Sequence, residues 1–243
     1  MEWRDDAIML GVRPHGENHA IAEVFTPSAG RVVALVHGGQ GRQKQPLLQP
    51  GNGVSVVWKG RSEDSLGHFA LELTEPRAAT LMHDALAVAG LTTITSMLSL
   101  CLPERQSLPR LYDATQILIG LLEEGDIWPV ALVRWELGLL ADLGFGIDLE
   151  SCAATGTKLE DGADLVFVSP KSGRAVSYEA GLPFRDRLLP LPPFLIDRGE
   201  PTKPDLGAAF RLTGHFIEEQ ILAPSDRLMP PARQRMIDRV TRV

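Results

Sequence analysis

The first 75 residues alternate between short apolar segments and clusters of turn-forming residues such as PHGEN, PSAG and QPGNG. In one segment Val54, Val56 and Trp58 occupy every second position, which is the period of a strand with one buried face. Apolar composition and turn signals predict five strands, at Ala7–Arg13, Ala20–Thr26, Gly30–Val36, Val54–Arg61 and Phe69–Thr74. Five short strands in so short a stretch favour a small barrel, with the OB-fold as the leading candidate.

Helical patterns replace the strand pattern near Pro76. Composition predicts helices over Arg77–Leu100, Pro109–Glu124 and Trp128–Gly144. The third helix is the clearest, because a proline lies near its start and a glycine at its end. Its apolar positions recur at helical spacing and are expected to face a core. They are Leu132, Trp135, Leu139 and Leu143.

Residues 151–181 read SCAATGTKLEDGADLVFVSPKSGRAVSYEAG, which predicts tight turns around two short β-like segments. This is the layout of a zinc ribbon, but Cys152 is the single cysteine in the segment. Zinc needs about four N, S or O ligands, and no histidine lies between residues 84 and 214. We therefore expect the module to hold no metal, to pack around Leu165, Phe167 and Val176, and to bury Cys152 as an ordinary thiol.

A proline-rich connector, LLPLPPFLIDRGEPTKP, follows this module. We expect a helix to resume with Asp205 as its N-cap, and a last helix to run from Pro230 and Pro231 to about Val240. The sequence therefore predicts an α+β multidomain protein. Its predicted parts are a five-stranded OB-fold barrel at 1–78, an all-helical domain at 79–150 and 194–243, and a zinc-ribbon-like insertion without its cysteine ligands at 151–193.

Composition and charge narrow the functional classes. A net charge of −7 argues against a wholly basic nucleic-acid binder. Two cysteines do not make a disulfide scaffold, so a reducing cytoplasm is expected. The N-terminus lacks the pattern of a signal peptide, and no stretch of about 18 uncharged apolar residues predicts a membrane span.

Catalytic motifs are missing from the sequence. The segment HGGQGRQK is not a phosphate-binding P-loop, because Gln43 stands where that motif needs glycine. His15 and His19 do not form the H-E-x-x-H motif of metalloproteases, and the remaining histidines occur singly along the chain, so no histidine cluster is expected. We therefore expect a protein that is not an enzyme and that needs no cofactor or metal.

The distribution of charge is more informative than its sum. Residues 31–61 contain five Lys and Arg and no Asp or Glu, whereas residues 1–80 together carry 8 basic and 9 acidic side chains. OB-fold barrels bind single strands by phosphate contacts and by base stacking on aromatic rings. The candidate DNA-binding residues are Arg31, His37, Arg42, Lys44, Lys59 and Arg61. Trp58 or Phe25 could offer a stacking face; alternatively, the charges are ordinary solvated ones and Trp58 belongs to the core.

Several segments together resemble one family. They are MEWRDDAIMLGVRPHGENHAIAEVFTPSAGR at the start, LQPGN at 48–52, VRWELGLLADLGFGIDLESCAATG at 133–156, FVSPKSGRAVS at 167–177 and LLPLPPFL at 188–195. In order and over nearly the whole chain, they resemble the RecO family of bacterial DNA-repair and recombination-mediator proteins. The run R-x-E-L-x-L-L-x-x-L-G-F-G is the most specific of these motifs.

The resemblance implies an N-terminal OB-fold, a helical domain and, in many members, a zinc module. It implies binding of single- and double-stranded DNA, annealing of complementary strands, and action at the nucleoid in the cytoplasm. It also implies three partners: RecR, the acidic and hydrophobic C-terminal tail of single-strand-binding protein, and indirectly the RecA recombinase. Together these help to load RecA onto DNA.

Family residues carry over unevenly. The basic loop after the third strand keeps Arg42 and Lys44, but glutamines occupy positions 40, 43 and 45, so DNA affinity is expected to be lower. The zinc-ligand positions correspond to Cys152, Thr155, Ser177 and Ala180.

Arg134, beside Leu132 and Trp135, is the candidate site for the acidic tail, because an arginine next to an apolar groove suits a peptide ending in Asp and Phe. The alternative for Arg134 is a surface ion pair with Glu136 or Asp142. The alternative for the whole chain is a protein–protein adaptor of the same pathway with weak DNA affinity of its own.

Overall fold

The computed structural model describes residues 1–125 and 127–242. These residues form two compact units. The first unit comprises Met1–Gly125 and Pro230–Met236, and the second contains the rest of the chain. The predicted domains 79–150 and 194–243 each include one residue outside the described part.

The first unit begins with five strands that match the five predicted ones. They are β1 (Glu2–His15), β2 (His19–Thr26), β3 (Gly30–Val36), β4 (Gly53–Lys59) and β5 (His68–Glu75). The strand order β1-β2-β3-β5-β4 returns to β1, so the sheet closes as a barrel. Four of its pairs are antiparallel, and β3 meets β5 in a single parallel pair, Leu35 with His68.

The LQPGN segment holds the chain that enters β4 against the middle of β1. Gly51 N–H donates to the Met9 carbonyl at 2.7 Å, and Met9 N–H donates to the Asn52 carbonyl at 2.9 Å. Gly51 has φ +90°, and a Cβ there would lie 2.5 Å from Leu91, so only glycine fits. The buried Asn52 side chain accepts from Ala78 N–H at 2.9 Å and donates to Pro46 O at 2.7 Å. The segment therefore has a structural role.

Three helices follow in the first unit: α1 (Arg77–Leu81), α2 (Ala85–Cys101) and α3 (Pro109–Leu121). The prediction of one helix over Arg77–Leu100 is wrong, because Asp84 interrupts it. The Asp84 backbone is extended and its carboxylate accepts from Leu86 N–H at 2.7 Å and Ala87 N–H at 3.1 Å. A side chain that caps these two amides starts a new helix.

The second unit combines helices with a small sheet. Its elements are α4 (Trp128–Asp142), β6 (Leu165–Val168), β7 (Ala175–Ser177), α5 (Tyr178–Gly181), β8 (Leu189–Pro190) and α6 (Lys203–Ile217). Short 3-10 segments lie at Leu182–Arg187, Pro193–Ile196 and Ala223–Ser225. The last helix, α7 (Pro231–Val240), begins among the residues of the first unit and ends among those of the second. The sheet order is β7-β6-β8, so the predicted β-like segments do pair within the module.

Two details of this unit correct the sequence analysis. Asp205 is not the N-cap of α6: Thr202 is, and Asp205 is the third residue of a capping box in which each side chain bonds the other's backbone. The module's core is Leu165, Val168 and Val176, while Phe167 is half-buried. A register shift between Leu165 and Phe167 turns Val168 inward instead.

No helix among residues 1–125 and 127–242 is long and apolar enough to cross a membrane.

Candidate nucleic-acid interface

Five of the six predicted DNA-binding residues lie at one end of the barrel. His37, Lys59 and Arg61 line one cavity, the Lys44 ammonium donates to the His37 carbonyl at 2.6 Å, and Arg42 lies two residues before Lys44. We call these five residues the basic end of the barrel. Basic residues that are spread over positions 37–61 lie close together in the fold, because β3 ends, β4 ends and β5 begins at the same place.

The loop that connects β3 to β4 is fastened to the turn between β1 and β2. The Gln40 side chain donates to the carbonyls of Gly16 and His19, both at 2.9 Å. A Cβ at Gly39 would lie 2.6 Å from the Ala20 Cβ, so the loop can approach β2 only through glycine. Gln40, one of the glutamines that distinguish this loop, therefore positions Arg42 and Lys44.

The cations of the basic end differ in their freedom. Lys59 forms an ion pair with Glu2 at 3.1 Å, but both side chains are about half exposed, so the pair is weak and easily exchanged. Arg42 and Arg61 are exposed, and within residues 1–125 and 127–242 neither has a carboxylate partner. These two arginines are the cations most available to an incoming phosphate.

Arg31 does not belong to this surface, and its pairing argues against the predicted role as a DNA contact. Its side chain is 11% exposed and bonds Glu23 at 2.5 Å and the Leu102 carbonyl at 2.8 Å, with Glu104 at 3.4 Å. The Ser99 hydroxyl donates to the other oxygen of Glu23 at 2.7 Å. Arg31 therefore joins β3 to the end of α2, and its charge is already compensated.

Neither predicted stacking residue is accessible. Trp58 is fully buried, stacks on Trp3 with ring centroids 5.9 Å apart, and donates its indole N–H to Leu66 O at 3.2 Å. Phe25 is also fully buried and meets Tyr112 edge to face at 5.5 Å. The alternative that Trp58 belongs to the core is confirmed, since its alternation with Val54 and Val56 points it into the barrel.

Three histidines meet at the basic end, which contradicts the expectation of scattered ones. The rings of His19 and His37 have centroids 5.2 Å apart, and those of His37 and His68 are 5.4 Å apart. They lie at the start of β2, just after β3 and at the start of β5. Spacing along the chain gives no sign of this cluster, but the predicted strand ends combined with the barrel's strand order could have revealed it.

The predicted partner site on α4 is not an open groove. Leu132 and Trp135 are 0% and 4% exposed, so a peptide could not reach them without displacing core contacts. Arg134 is half exposed and bonds Asp197 at 2.7 Å and the Phe194 carbonyl at 3.0 Å. The alternative, that Arg134 forms a surface ion pair, is confirmed, but its partner is Asp197 and not Glu136 or Asp142. Glu136 is buried and accepts a hydrogen bond from the Thr213 hydroxyl.

Two of the other three zinc-ligand positions, Thr155 and Ser177, lie within hydrogen-bonding reach of Cys152. Cys152 is fully buried; its Sγ donates to Ser177 Oγ at 3.4 Å and accepts from Ser177 N–H at 3.3 Å. Burial raises the pKa of the thiol, but hydrogen bonds from Ser177 and Thr155 outweigh burial and lower it to about 6. Cys152 is thus buried as predicted, but it is not an ordinary thiol. Hydrogen bonds therefore link three of the four positions, Cys152, Thr155 and Ser177, that a zinc ion would join in a ribbon with four thiolates.

Possible metal-binding groups were sought outside the Cys152 module as well. Among the residues that the structure describes, no group of three or more His, Cys, Asp and Glu side chains is arranged to hold a metal ion.

Two family models together match most of the chain. The model described as Recombination protein O N terminal matches residues 1–77, and that described as Recombination protein O C terminal matches residues 82–228. The chain belongs to the RecO family. The N-terminal RecO region contains all five strands and the basic end, and the C-terminal RecO region contains the hydrogen-bonded positions Cys152, Thr155 and Ser177.

Curated relatives agree over nearly their whole length. A DNA repair protein RecO of Methylorubrum extorquens is 47% identical, covering 98% of this chain and 97% of that protein. The RecO of Roseobacter denitrificans is 46% identical, covering 100% and 99%. A RecO of Caulobacter vibrioides is 45% identical, covering 99% and 98%.

Proposed function

We propose that this RecO-family chain is a recombination mediator in bacterial DNA repair. It binds single- and double-stranded DNA, anneals complementary strands and, with RecR, helps to load RecA onto DNA coated by single-strand-binding protein. Family membership supports the role in repair and recombination. The observation that carries the DNA contact is the basic end, where exposed Arg42 and Arg61 from two loops stand beside Lys44 and Lys59.

We infer that the barrel is an OB-fold that holds DNA through its phosphates. Each lysine or arginine that neutralises a phosphate releases a counterion, so affinity comes from phosphate contacts and falls steeply with salt. The aromatic rings predicted to stack with bases are buried, which favours binding with little preference for sequence. Two strands held near one another have a raised local concentration, which promotes annealing without bond-making chemistry or ATP.

Titration with a single-stranded oligonucleotide at two salt concentrations tests this proposal. Reversing the charge of Arg42 and Lys44 to Glu should weaken binding strongly and reduce the salt slope by about 1.4, because each single-strand phosphate contact contributes about 0.7. Arg185→Glu/Arg187→Glu provides a matched control, since these exposed arginines lie in the second unit. No binding at low salt, or equal binding by the two variants, would overturn the proposal.

The proposed partners need a separate assay. Complementary strands coated with the cognate single-strand-binding protein should anneal in the presence of this protein, and annealing should slow when the acidic tail is deleted. The tail would have to displace core contacts to reach Leu132 and Trp135, because both are buried. Annealing that is insensitive to tail deletion would argue against this partner.

An adaptor with weak DNA affinity is the second candidate. The net charge of −7 and the internal pairing of Arg31 favour it, because both reduce the attraction for phosphates. It predicts tight RecR binding together with oligonucleotide binding that Arg42→Glu/Lys44→Glu leaves unchanged.

A further inference from the structure

The histidine cluster borders the cavity at the basic end. This cavity has a volume of about 560 Å³, and its walls include His37, His68, Lys59, Arg61 and Ser65. Its cations come from the end of β4 and the loop that follows, whereas its imidazoles come from the ends of β3 and β5. A phosphate group in the cavity would therefore meet hydrogen-bond donors from three elements.

Of the three histidines, His37 and His68 line the cavity, whereas His19 stands behind His37. The Nδ1 atom of His19 accepts from Gly38 N–H at 3.3 Å, so a proton on that nitrogen would break a hydrogen bond. His37 and His68 have no such constraint within the described part of the chain, where the contact recorded for each ring is with a neighbouring imidazole. They are the members of the cluster that can gain a proton at least structural cost.

A phosphate in the cavity would favour protonation of the imidazoles beside it. A cation near an imidazole disfavours the imidazolium form, and an anion favours it. Imidazolium at both positions would place two like charges on rings 5.4 Å apart. The charged and titratable groups nearest the cavity are the Met1 amino group, Glu2, His19, Lys44, Lys59, Arg61 and Arg105, whose guanidinium donates to the Ser65 carbonyl in the cavity wall at 3.1 Å. The neighbouring turns and loops also carry His15, Glu17, Arg42, Glu63 and Asp64. The cations Lys59 and Arg61 are in the cavity wall itself, and Glu2 is already engaged by Lys59.

We propose that His37 and His68 form, with Lys59 and Arg61, a phosphate subsite that takes up protons when a nucleic-acid phosphate enters the cavity. DNA affinity then increases as the pH falls from 8 to 6. This inference rests on the proposed function, and it adds a regulation that basic residues alone would not give, because Lys and Arg keep their charge over this range. Histidine is the side chain that changes charge there.

The expected size follows from proton linkage. Each proton taken up on binding changes affinity by up to about tenfold per pH unit. If the two histidines together gain about half a proton on average when DNA binds, an oligothymidylate should bind about tenfold tighter at pH 6 than at pH 8, at constant ionic strength. Thymine bases and phosphodiesters keep their charge over this range, so the protein is the source of the change.

Affinity at the two pH values is measured for three proteins. The wild type and His83→Gln, which alters an exposed histidine outside the cavity, should both show the full change. His37→Gln/His68→Gln should change less than threefold. Glutamine keeps hydrogen-bonding capacity at these accessible positions. If the double variant misfolds, His37→Gln alone, at an exposed site, replaces it and should lose part of the affinity difference between pH 6 and pH 8.

Calorimetry in two buffers of different ionisation enthalpy counts the protons directly. Wild-type protein should take up protons at pH 7 on binding oligothymidylate, and the double variant should not. Equal wild-type affinity at pH 6 and pH 8, or a full pH effect in the double variant, would overturn the subsite.

A second calorimetric arm uses inorganic pyrophosphate, and protons are counted as wild type minus double variant, because pyrophosphate itself ionises near pH 7 and this contribution is common to both proteins. Proton uptake with pyrophosphate supports a subsite for phosphate groups in general, whereas uptake with DNA alone supports one that needs the neighbouring backbone contacts. If oligothymidylate does not bind at either pH, the proposed DNA function fails by itself. The pyrophosphate result then decides the subsite: a greater proton uptake by wild type than by the double variant supports it, and equal proton counts overturn it.

Discussion

Arg31→Met separates a structural arginine from DNA-contacting ones. Methionine keeps much of the apolar stem but removes the guanidinium that bonds Glu23 at 2.5 Å and Leu102 O at 2.8 Å. A hydrogen bond to a charged group contributes roughly 1.5–3 kcal/mol, and the longer contact to the exposed Glu104 contributes little. Glu23 keeps its bond from Ser99, which limits the penalty. The variant should lose about 3 kcal/mol of unfolding free energy.

Arg42→Met is the matched control, because it removes the same charge from an exposed position that has no carboxylate partner among the described residues. Its stability should change by no more than about 0.5 kcal/mol, while its salt slope for single-stranded DNA should fall by about 0.7. Arg31→Met should show the opposite profile, with DNA affinity and salt slope like the wild type's under conditions where it remains folded.

Urea unfolding and oligonucleotide titration at two salt concentrations measure both quantities. Tryptophan fluorescence reports on the barrel through the stacked Trp3 and Trp58. A loss of less than about 1 kcal/mol in Arg31→Met, together with weakened DNA binding, would refute the structural assignment and restore Arg31 to the DNA-binding surface.

Three further predictions concern the loop over Trp58 and the module around Cys152. Gly67→Ala should lose about 3 kcal/mol in urea unfolding, because φ is +61° and the new Cβ would lie 2.4 Å from the Trp58 indole nitrogen; Gly16→Ala, with similar φ and open space, should lose only about 1 kcal/mol. Thr155→Cys/Ser177→Cys/Ala180→Cys places cysteines at all three remaining ligand positions and should bind one zinc per chain, as measured by metal analysis. The present distance of 3.4 Å between Cys152 Sγ and Ser177 Oγ is close to the spacing of two thiolates in a site with Zn–S bonds of about 2.3 Å. Stoichiometric zinc in the wild type would contradict the expected metal-free module. The pKa of Cys152 in the folded protein is about 6, below its ordinary value of 9.0, so the unfolding free energy should rise as the pH increases from 6 to 9. The stabilisation by the Cys152 thiolate is lost again as the pH falls through 6. Cys152→Ala should flatten this dependence, and an unchanged pH profile would show that the thiol does not cause it.

The strands could be predicted from the sequence because both of their signals are local. Alternation sets the buried face, and turn residues mark the ends, so each of the five predicted strands is present. The helix over Arg77–Leu100 was mispredicted because its composition is helical throughout, while the interruption depends on the extended backbone of one residue, Asp84. Val168 replaced Phe167 in the module's core for a similar reason, since a register shift depends on how two strands pair.

The surface was predicted less completely than the fold. Segregation of charge along the chain correctly located His37, Arg42, Lys44, Lys59 and Arg61 in a common region. Arg31 has the same charge and lies in the same window, yet it faces α2 and meets Glu23 and Glu104. Whether an arginine is available to a ligand depends on carboxylates that fold beside it, and these lie up to 73 residues away along the chain.

The family, the order of strands and helices, and the stretch in which positive charge gathers can all be predicted from the amino-acid sequence, because they depend on residue type and on spacing between near neighbours. Only the folded chain shows which of those charges remain available, that Trp58 and Phe25 are buried, and that Cys152 is hydrogen-bonded to Ser177. It also decided the meeting of His19, His37 and His68. Closure of the barrel in the order β1-β2-β3-β5-β4 brings together strand ends that lie up to 49 residues apart, and no local pattern contains that information.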